Sequence, residues 1–147
     1  MDFFTSMKVS ASGLDAQMRR MNTISSNIAN AETAQTDGPG SGPYRRRDVV
    51  FNSKPYREHF GEILADKMDQ NVQEVQVSEI TEDTRPPKLI YNPNHPLADE
   101  RGYVAMPNVN TVEEMANMVS AQRSYEANVK AMGAAKAMAS KALEIGR

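Results

Sequence analysis

The sequence predicts a mainly α protein. Two long terminal helices pair as a coiled-coil-like hairpin, with a small β-rich insert between them. Three observations predict it. Residues 111 to 145 contain no proline and carry apolar side chains at helical spacing. Residues 3 to 31 carry a four-three apolar repeat. The stretch between them changes to short β-branched and aromatic runs separated by Pro, Gly and Asn.

The first helix spans about Phe3 to Ala31. Met7, Ala11, Leu14, Met18, Met21 and Ile28 follow the repeat across three heptads, broken only by Ser25, and Phe3, Phe4 and Ile24 widen the seam. The pattern fits a core helix of an ordinary bundle as well as half of a terminal coiled coil. Asn30 and Thr33 mark the place where the helix fades.

Residues 32 to 43 read as a linker, because three Gly and two Pro fall within six positions. Beyond it, Asp48–Phe51, Val75–Ser78, Lys88–Tyr91 and Tyr103–Met106 read as strands. Turn chemistry lies between them in Arg85-Pro-Pro87, Asn92-Pro-Asn-His-Pro96 and Arg101-Gly102. Glu58 to Met68 carries Phe60, Ile63, Leu64 and Met68 at helical spacing, weakened by Pro55 and Gly61. The chain therefore divides into a terminal helical part, 1–35 with 108–147, and a linker plus insert, 36–107.

The last helix begins at Asn110 or Thr111, both good N-caps, with Glu113 and Glu114 at capping-box spacing. Gly146 suits its C-terminus. At the usual rise per residue the rod is roughly 50 Å long. Met115, Met118, Val119, Tyr125, Val129, Met132, Ala135, Ala139 and Leu143 lie near one stripe. Glu114, Arg123, Glu126, Lys130, Lys136 and Lys141 fall mostly beside or opposite it. From Ala131 to Ala142 eight of twelve residues are Ala, Gly or Ser, a surface that lets another helix come close but buries little apolar area. Gly133 within it costs roughly 1 kcal/mol relative to Ala. Such a helix needs neighbours along its whole length. The two apolar seams, from Met7 to Ile28 and from Met115 to Leu143, are the candidate assembly contacts.

Composition narrows the function. At 147 residues one domain is the default, and 39% hydrophobic residues without Trp make a thin core. The ten Met residues suit adaptable interfaces. A net charge of −2 implies no general attraction to nucleic acid or anionic membranes. Arg45-Arg-Arg47 is the only basic run; beside Asp48 it reads as a solvated or ion-paired strand end rather than a phosphate site. Cysteine is absent, so disulfide and thiol chemistry are excluded. No apolar run approaches the roughly 20 residues of a membrane helix. The start, Met1-Asp-Phe-Phe, does not look like a cleaved signal. His59 and His95 stand alone, without ligand spacing for a metal, and no phosphate-binding or dinucleotide-binding glycine motif occurs. No nucleophile is paired with a base, and Glu113 with Glu114 is explained by the helix start. Pattern thus gives a non-enzymatic protein without cofactor or metal, built for helix contacts.

Specific residues go further. Ser12-Gly-Leu14, Arg20-Met21 and Ser26-Asn-Ile-Ala-Asn30 with Thr33 resemble the N-terminal motif of the bacterial flagellar rod and hook axial protein family. The proximal-rod branch is resembled by Leu89-Ile-Tyr-Asn-Pro-Asn-His-Pro96 and by Gly102-Tyr-Val-Ala-Met-Pro-Asn-Val-Asn110. Val112-Glu-Glu-Met115, Tyr125-Glu-Ala-Asn-Val129 and Leu143-Glu-Ile-Gly-Arg147 add to that likeness, which is loosest from Asn52 to Asp83. The resemblance implies an axial structural subunit of the flagellar basal body. It would leave by the flagellar type III apparatus without a cleaved signal and assemble in the periplasm into a hollow helical rod. Its partners would be copies of itself, the other proximal rod proteins, the distal rod protein and the inner-membrane ring with its export apparatus. The rod would transmit torque and pass exported subunits. The contrasting reading is a cytosolic helical adaptor, or an export-associated module, that recognises a partner helix.

Overall fold

The computed structural model describes residues 3–34, 42–55 and 73–145. The element order is α1 (Phe3–Ala29), β1 (Arg47–Pro55), β2 (Gln73–Glu82), β3 (Lys88–Tyr91), β4 (Tyr103–Met106) and α2 (Thr111–Ile145). Two helices thus bracket a strand-containing insert, and all four expected strands are present, β1 and β2 longer than the apolar runs that marked them. The central linker positions, the Glu58–Met68 segment and Gly146 lie outside the described residues.

Local chemistry sets the helix ends. At the end of α1 the Asn30 side-chain amide donates to the Ser26 carbonyl at 2.9 Å, and Ala31 N–H to Ile28 O tightens the last turn. Tyr44 N–H then donates to Thr33 O at 3.2 Å, so the two ends of the intervening segment are joined by one backbone bond. At the start of α2, Asn110 is the N-cap: its Oδ1 accepts from Val112 N–H at 3.2 Å, and its carbonyl accepts the first helical bond from Glu114. Glu113 and Glu114 lie in the first turn, where the helix dipole favours negative charge.

The strands form two two-stranded sheets, β1 beside β2 and β3 beside β4. β3 and β4 run antiparallel, with Lys88 opposite Met106 and Tyr91 opposite Tyr103. Asn92 N–H to Gly102 O continues the ladder. By parity the even residues of β3 bond to β4, and the backbone groups of Leu89 and Tyr91 point outward. Tyr91 and Tyr103 form a close non-bonded pair, their rings edge to face at 5.4 Å. Asp99 organises the turn, accepting from Arg101 N–H and Tyr103 N–H. Gly102 has φ +79°, and a Cβ there would come 2.9 Å from the Tyr91 ring, so both backbone and space require glycine.

The chain forms two compact units. One comprises Met1–Arg19, Val50–Glu79 and Ala121–Arg147; the other comprises Arg20–Val49 and Ile80–Ser120. In the first, the buried apolar residues among those described are Ala16, Ala121 and Ala135. There α1 meets α2 at Gly13, where a Cβ would lie 3.0 Å from the Asn128 amide nitrogen. That amide donates back to Ser124 O at 3.1 Å, and Val75 N–H donates to Ser12 Oγ at 3.2 Å. In the second unit the buried residues are larger: Ile24, Tyr44, Val104 and Val109.

Candidate assembly interface and the buried polar node

The expected contact residues divide by exposure. On α1, Met7, Leu14, Met21 and Ile28 are half-buried, while Ala11 and Met18 are exposed. On α2, Ala135 is buried and Met118, Tyr125, Met132 and Ala139 are half-buried. Met115, Val119, Val129 and Leu143 are exposed, Leu143 at 77%. Phe4, Val112 and Met138 add to this uncovered apolar surface at 69%, 74% and 67%. Part of each apolar stripe is therefore exposed in the single chain.

The positions that are covered form a neighbouring row. On α2, Glu114, Ala121 and Ala135 are buried and Asn128 is half-buried, all at intervals of seven. On α1, Gly13, Arg20 and Asn27 repeat at seven, with Ala16 and Ile24 buried beside them. Small and polar side chains, not the Met and Leu seam, occupy this row.

The second unit is organised around Asn27 and Glu114, exposed by 0% and 1%. The Asn27 amide nitrogen donates to Arg47 O at 2.7 Å and to Glu114 Oε2 at 2.9 Å. Its Oδ1 accepts from Arg47 N–H at 2.9 Å and from Tyr44 Oη at 3.0 Å. All four hydrogen-bonding positions of the amide are used, which also fixes its orientation. The Glu114 Oε1 accepts from Arg46 Nε at 2.9 Å and lies 2.8 Å from a second guanidinium nitrogen. Burial works against the Arg46 charge, yet hydrogen bonding and attraction to Glu114, helped by Asp48, hold its pKa above the ordinary guanidinium value. A buried carboxylate without such a partner would be strongly unfavourable. One helix, the entry to β1 and the start of the other helix are thus tied at one point.

Capping-box spacing assigns Glu114 to the helix start, among the polar residues that fall mostly beside or opposite the apolar stripe. Its Asn110 bond does serve the helix start, but its carboxylate faces inward. The Arg45–Arg47 run is ion-paired in two of its three members. Arg46 binds Glu114, and Arg47 pairs with Glu82 at 3.1 Å and lies over the Tyr44 ring at 5.8 Å. Arg45 is exposed. Asn27 lies inside the Ser26–Asn30 motif, but no hydropathy count would have found it. A polar residue repeating at seven with Gly13 and Arg20 is the signal that carries it.

Among the described residues no helix is long and apolar enough to cross a membrane, and no cluster of His, Cys, Asp or Glu could hold a metal ion. Comparison with known sequences supplies the family. Residues 7–34 match the family described as flagella basal body rod protein, and residues 100–145 match the flagellar basal body rod FlgEFG protein C-terminal family. The chain is 47% identical to the flagellar basal-body rod protein FlgC of Bacillus subtilis, covering all of both chains. It is 42% identical to the FlgC of Borreliella burgdorferi over 99% of this chain and 98% of that one. With the FlgC of Aquifex aeolicus the identity is 43%, over 92% and 91%. Relatives of this identity across nearly their whole length, with the rod motif at one end and the axial C-terminal region at the other, place the chain in the FlgC family of flagellar basal-body rod proteins, structural subunits rather than enzymes.

Proposed function

We propose that this rod subunit pairs its terminal segments, 1–35 and 108–147, as a coiled-coil-like antiparallel hairpin. Neighbouring subunits then pack on the apolar seams left open, from Met7 to Ile28 and from Met115 to Leu143. Residues 36–107 form the insert that the hairpin carries. Two contacts support the pairing. Gly13 lies against Asn128, and Asn27 against Glu114. From 13 to 27 is fourteen residues forward on α1, and from 128 to 114 is fourteen back on α2. Fourteen is two heptads, the step that keeps one face of each helix turned to the other.

The observation that carries the assembly reading is the exposed apolar surface, from Phe4 and Met18 on α1 to Met115, Val119, Val129, Met138 and Leu143 on α2. A chain that repeats head to tail covers such a surface with the next copy, and a rotation that does not close gives a helical rod. Torque transmission and a lumen for exported subunits follow from a stiff hollow rod. The neighbours are copies of this chain and the other proximal and distal rod proteins, next to the inner-membrane ring and export apparatus. Export through the flagellar type III route brings the chain to the periplasm.

Met115→Lys and Leu143→Glu test this reading. Both side chains are exposed in the single chain, so thermal unfolding and export should match the parent. A charge buried between subunits should abolish incorporation into basal bodies and swimming. Parental swimming by both variants would remove these positions from the interface.

A further inference from the structure

We propose that the node of Asn27, Glu114, Arg46 and Tyr44 is a register lock for the two helices, with Asn27 as its positioning residue. This rests on the antiparallel pairing proposed above. The rest of the inward row discriminates poorly between registers. Gly13, Ala16, Ala121 and Ala135 are small, and a slip of one heptad returns each helix to the same face and sets Gly13 against Ala121 in place of Asn128, a change that no steric clash opposes. The node differs because its bonds are directional. Asn27 spends both amide protons and both acceptor positions on named partners. No other position of α1 reproduces that pattern against the Arg47 backbone.

A specific competing register exists. Arg20 is seven residues before Asn27 on the same face of α1. It lines one cleft with Arg46, Asp48, Glu113 and Glu114, and pairs with none of the described residues. A slip of one heptad brings Arg20 opposite Glu114 and compensates the buried carboxylate again. Charge alone therefore permits both registers. The neutral amide of Asn27, anchored to the Arg47 backbone, selects one. A subunit locked in the other register would present its apolar stripes to neighbours seven residues out of step.

The chain contains no cysteine, so introduced thiol pairs report register without interference. In the full-length protein, Gly13→Cys with Asn128→Cys marks the observed register. Gly13→Cys with Ala121→Cys marks the register slipped by one heptad. Disulfide formation needs Cβ atoms roughly 4 Å apart, which separates the two. The parent should crosslink through the first pair and not the second. Adding Asn27→Leu should shift crosslinking to the second pair at unchanged helix content by circular dichroism. Arg20→Gln added to Asn27→Leu should then lose the slipped crosslink. If Asn27→Leu keeps only the first crosslink, the node does not set the register. If it loses both crosslinks together with helix content, the node is merely structural, and the proposal is overturned. If the parent never forms the first crosslink, the pairing itself fails, and the lock fails with it.

Discussion

The two compact units solve the same packing problem by opposite means. In the first, α1 and α2 meet through what is missing: a Gly13 with no side chain and buried positions filled by Ala16, Ala121 and Ala135. In the second they meet through what is shared: an amide and a carboxylate with every polar group engaged, set among Ile24, Tyr44, Val104 and Val109. A buried Val or Ile contributes roughly 1.5–3 kcal/mol of transfer free energy, a buried alanine methyl well under that. Among the described residues, the larger buried side chains and the directional bonds therefore belong to the second unit. At the described helix contact of the first unit, small side chains permit close approach.

Removing one member of the node should produce the largest effect. Among the described residues, Glu114→Ala leaves the Arg46 guanidinium only the 3.4 Å contact to Asp48 and deprives the Asn27 amide of an acceptor. Breaking a buried pair from one side costs about 3–5 kcal/mol, and partial exposure of Arg46 places this case near the lower end. Urea unfolding of the full chain measures it. A loss below about 1 kcal/mol, the scale of a solvent-exposed pair, would erase the contrast between the units.

Filling the permissive unit should come next. Ala135 is buried at 6% exposure, and Ala135→Leu adds three carbons there. Overpacking of this kind costs about 1–3 kcal/mol, repeated in every copy of a rod. The variant should be made and exported yet fail to build basal bodies. The exposed Lys141, which pairs with Glu144 at the surface, gives the control: Lys141→Ala should swim. Normal swimming by Ala135→Leu would mean that close approach is not what the small side chains provide.

A smaller change sharpens the same point. Gly13→Ala brings a Cβ to 3.0 Å from the Asn128 amide, which is itself held by Ser124 O. Steric crowding should cancel or outweigh the helix-propensity gain, which is roughly 1 kcal/mol. In an Asn128→Ala background the crowding disappears and Gly13→Ala should stabilise. Equal effects in both backgrounds would show that the two helices do not meet there.

The smallest effect belongs to pH. Hydrogen bonds from the Arg85 side chain and backbone lower the Asp83 pKa to about 2. A carboxyl with a depressed folded-state pKa stabilises above its unfolded value, near 4, and loses that contribution as pH falls toward 2. Both groups are close to solvent, so the contribution is slight. Asp83→Asn should flatten the acid limb of the stability profile in that window alone. An unchanged profile would show that the Asp83–Arg85 pair is not held in solution.

Much of the architecture is readable from the residues. β-Branched runs bounded by Pro, Asn and Gly locate all four strands, β3 and β4 to the residue. Asn30 and Asn110 mark helix ends because their side chains replace missing backbone partners. Hydropathy reads the inward faces only in part: Ile24 and Ala135 of the expected seams are buried, but so are Asn27 and Glu114. Counting apolar side chains finds the stripe through Met115, Val119, Val129 and Leu143, which the single chain leaves exposed. Close helix contact here selects small side chains and a satisfied polar cluster, and neither raises an apolar count. The Glu114 carboxylate and the Asn27 amide lie inside for reasons that an apolar count does not register. Where large apolar side chains such as Met115, Val112 and Leu143 are exposed, an apolar count finds the outside of the fold before its inside.

The bare flank of β3 has its own consequence. Leu89 and Tyr91 turn their amide and carbonyl groups outward, and both side chains are about two-thirds exposed. An uncovered flank of this sort is a template on which stray chains add and ribbons grow. This one is bracketed by Pro86 and Pro87 on one side and Pro93 on the other, none of which has an N–H to offer. Lys88 at the strand's beginning adds a charge. A foreign strand finds only two rungs before the ladder stops. The flank is thereby open yet too short to seed strand-by-strand growth.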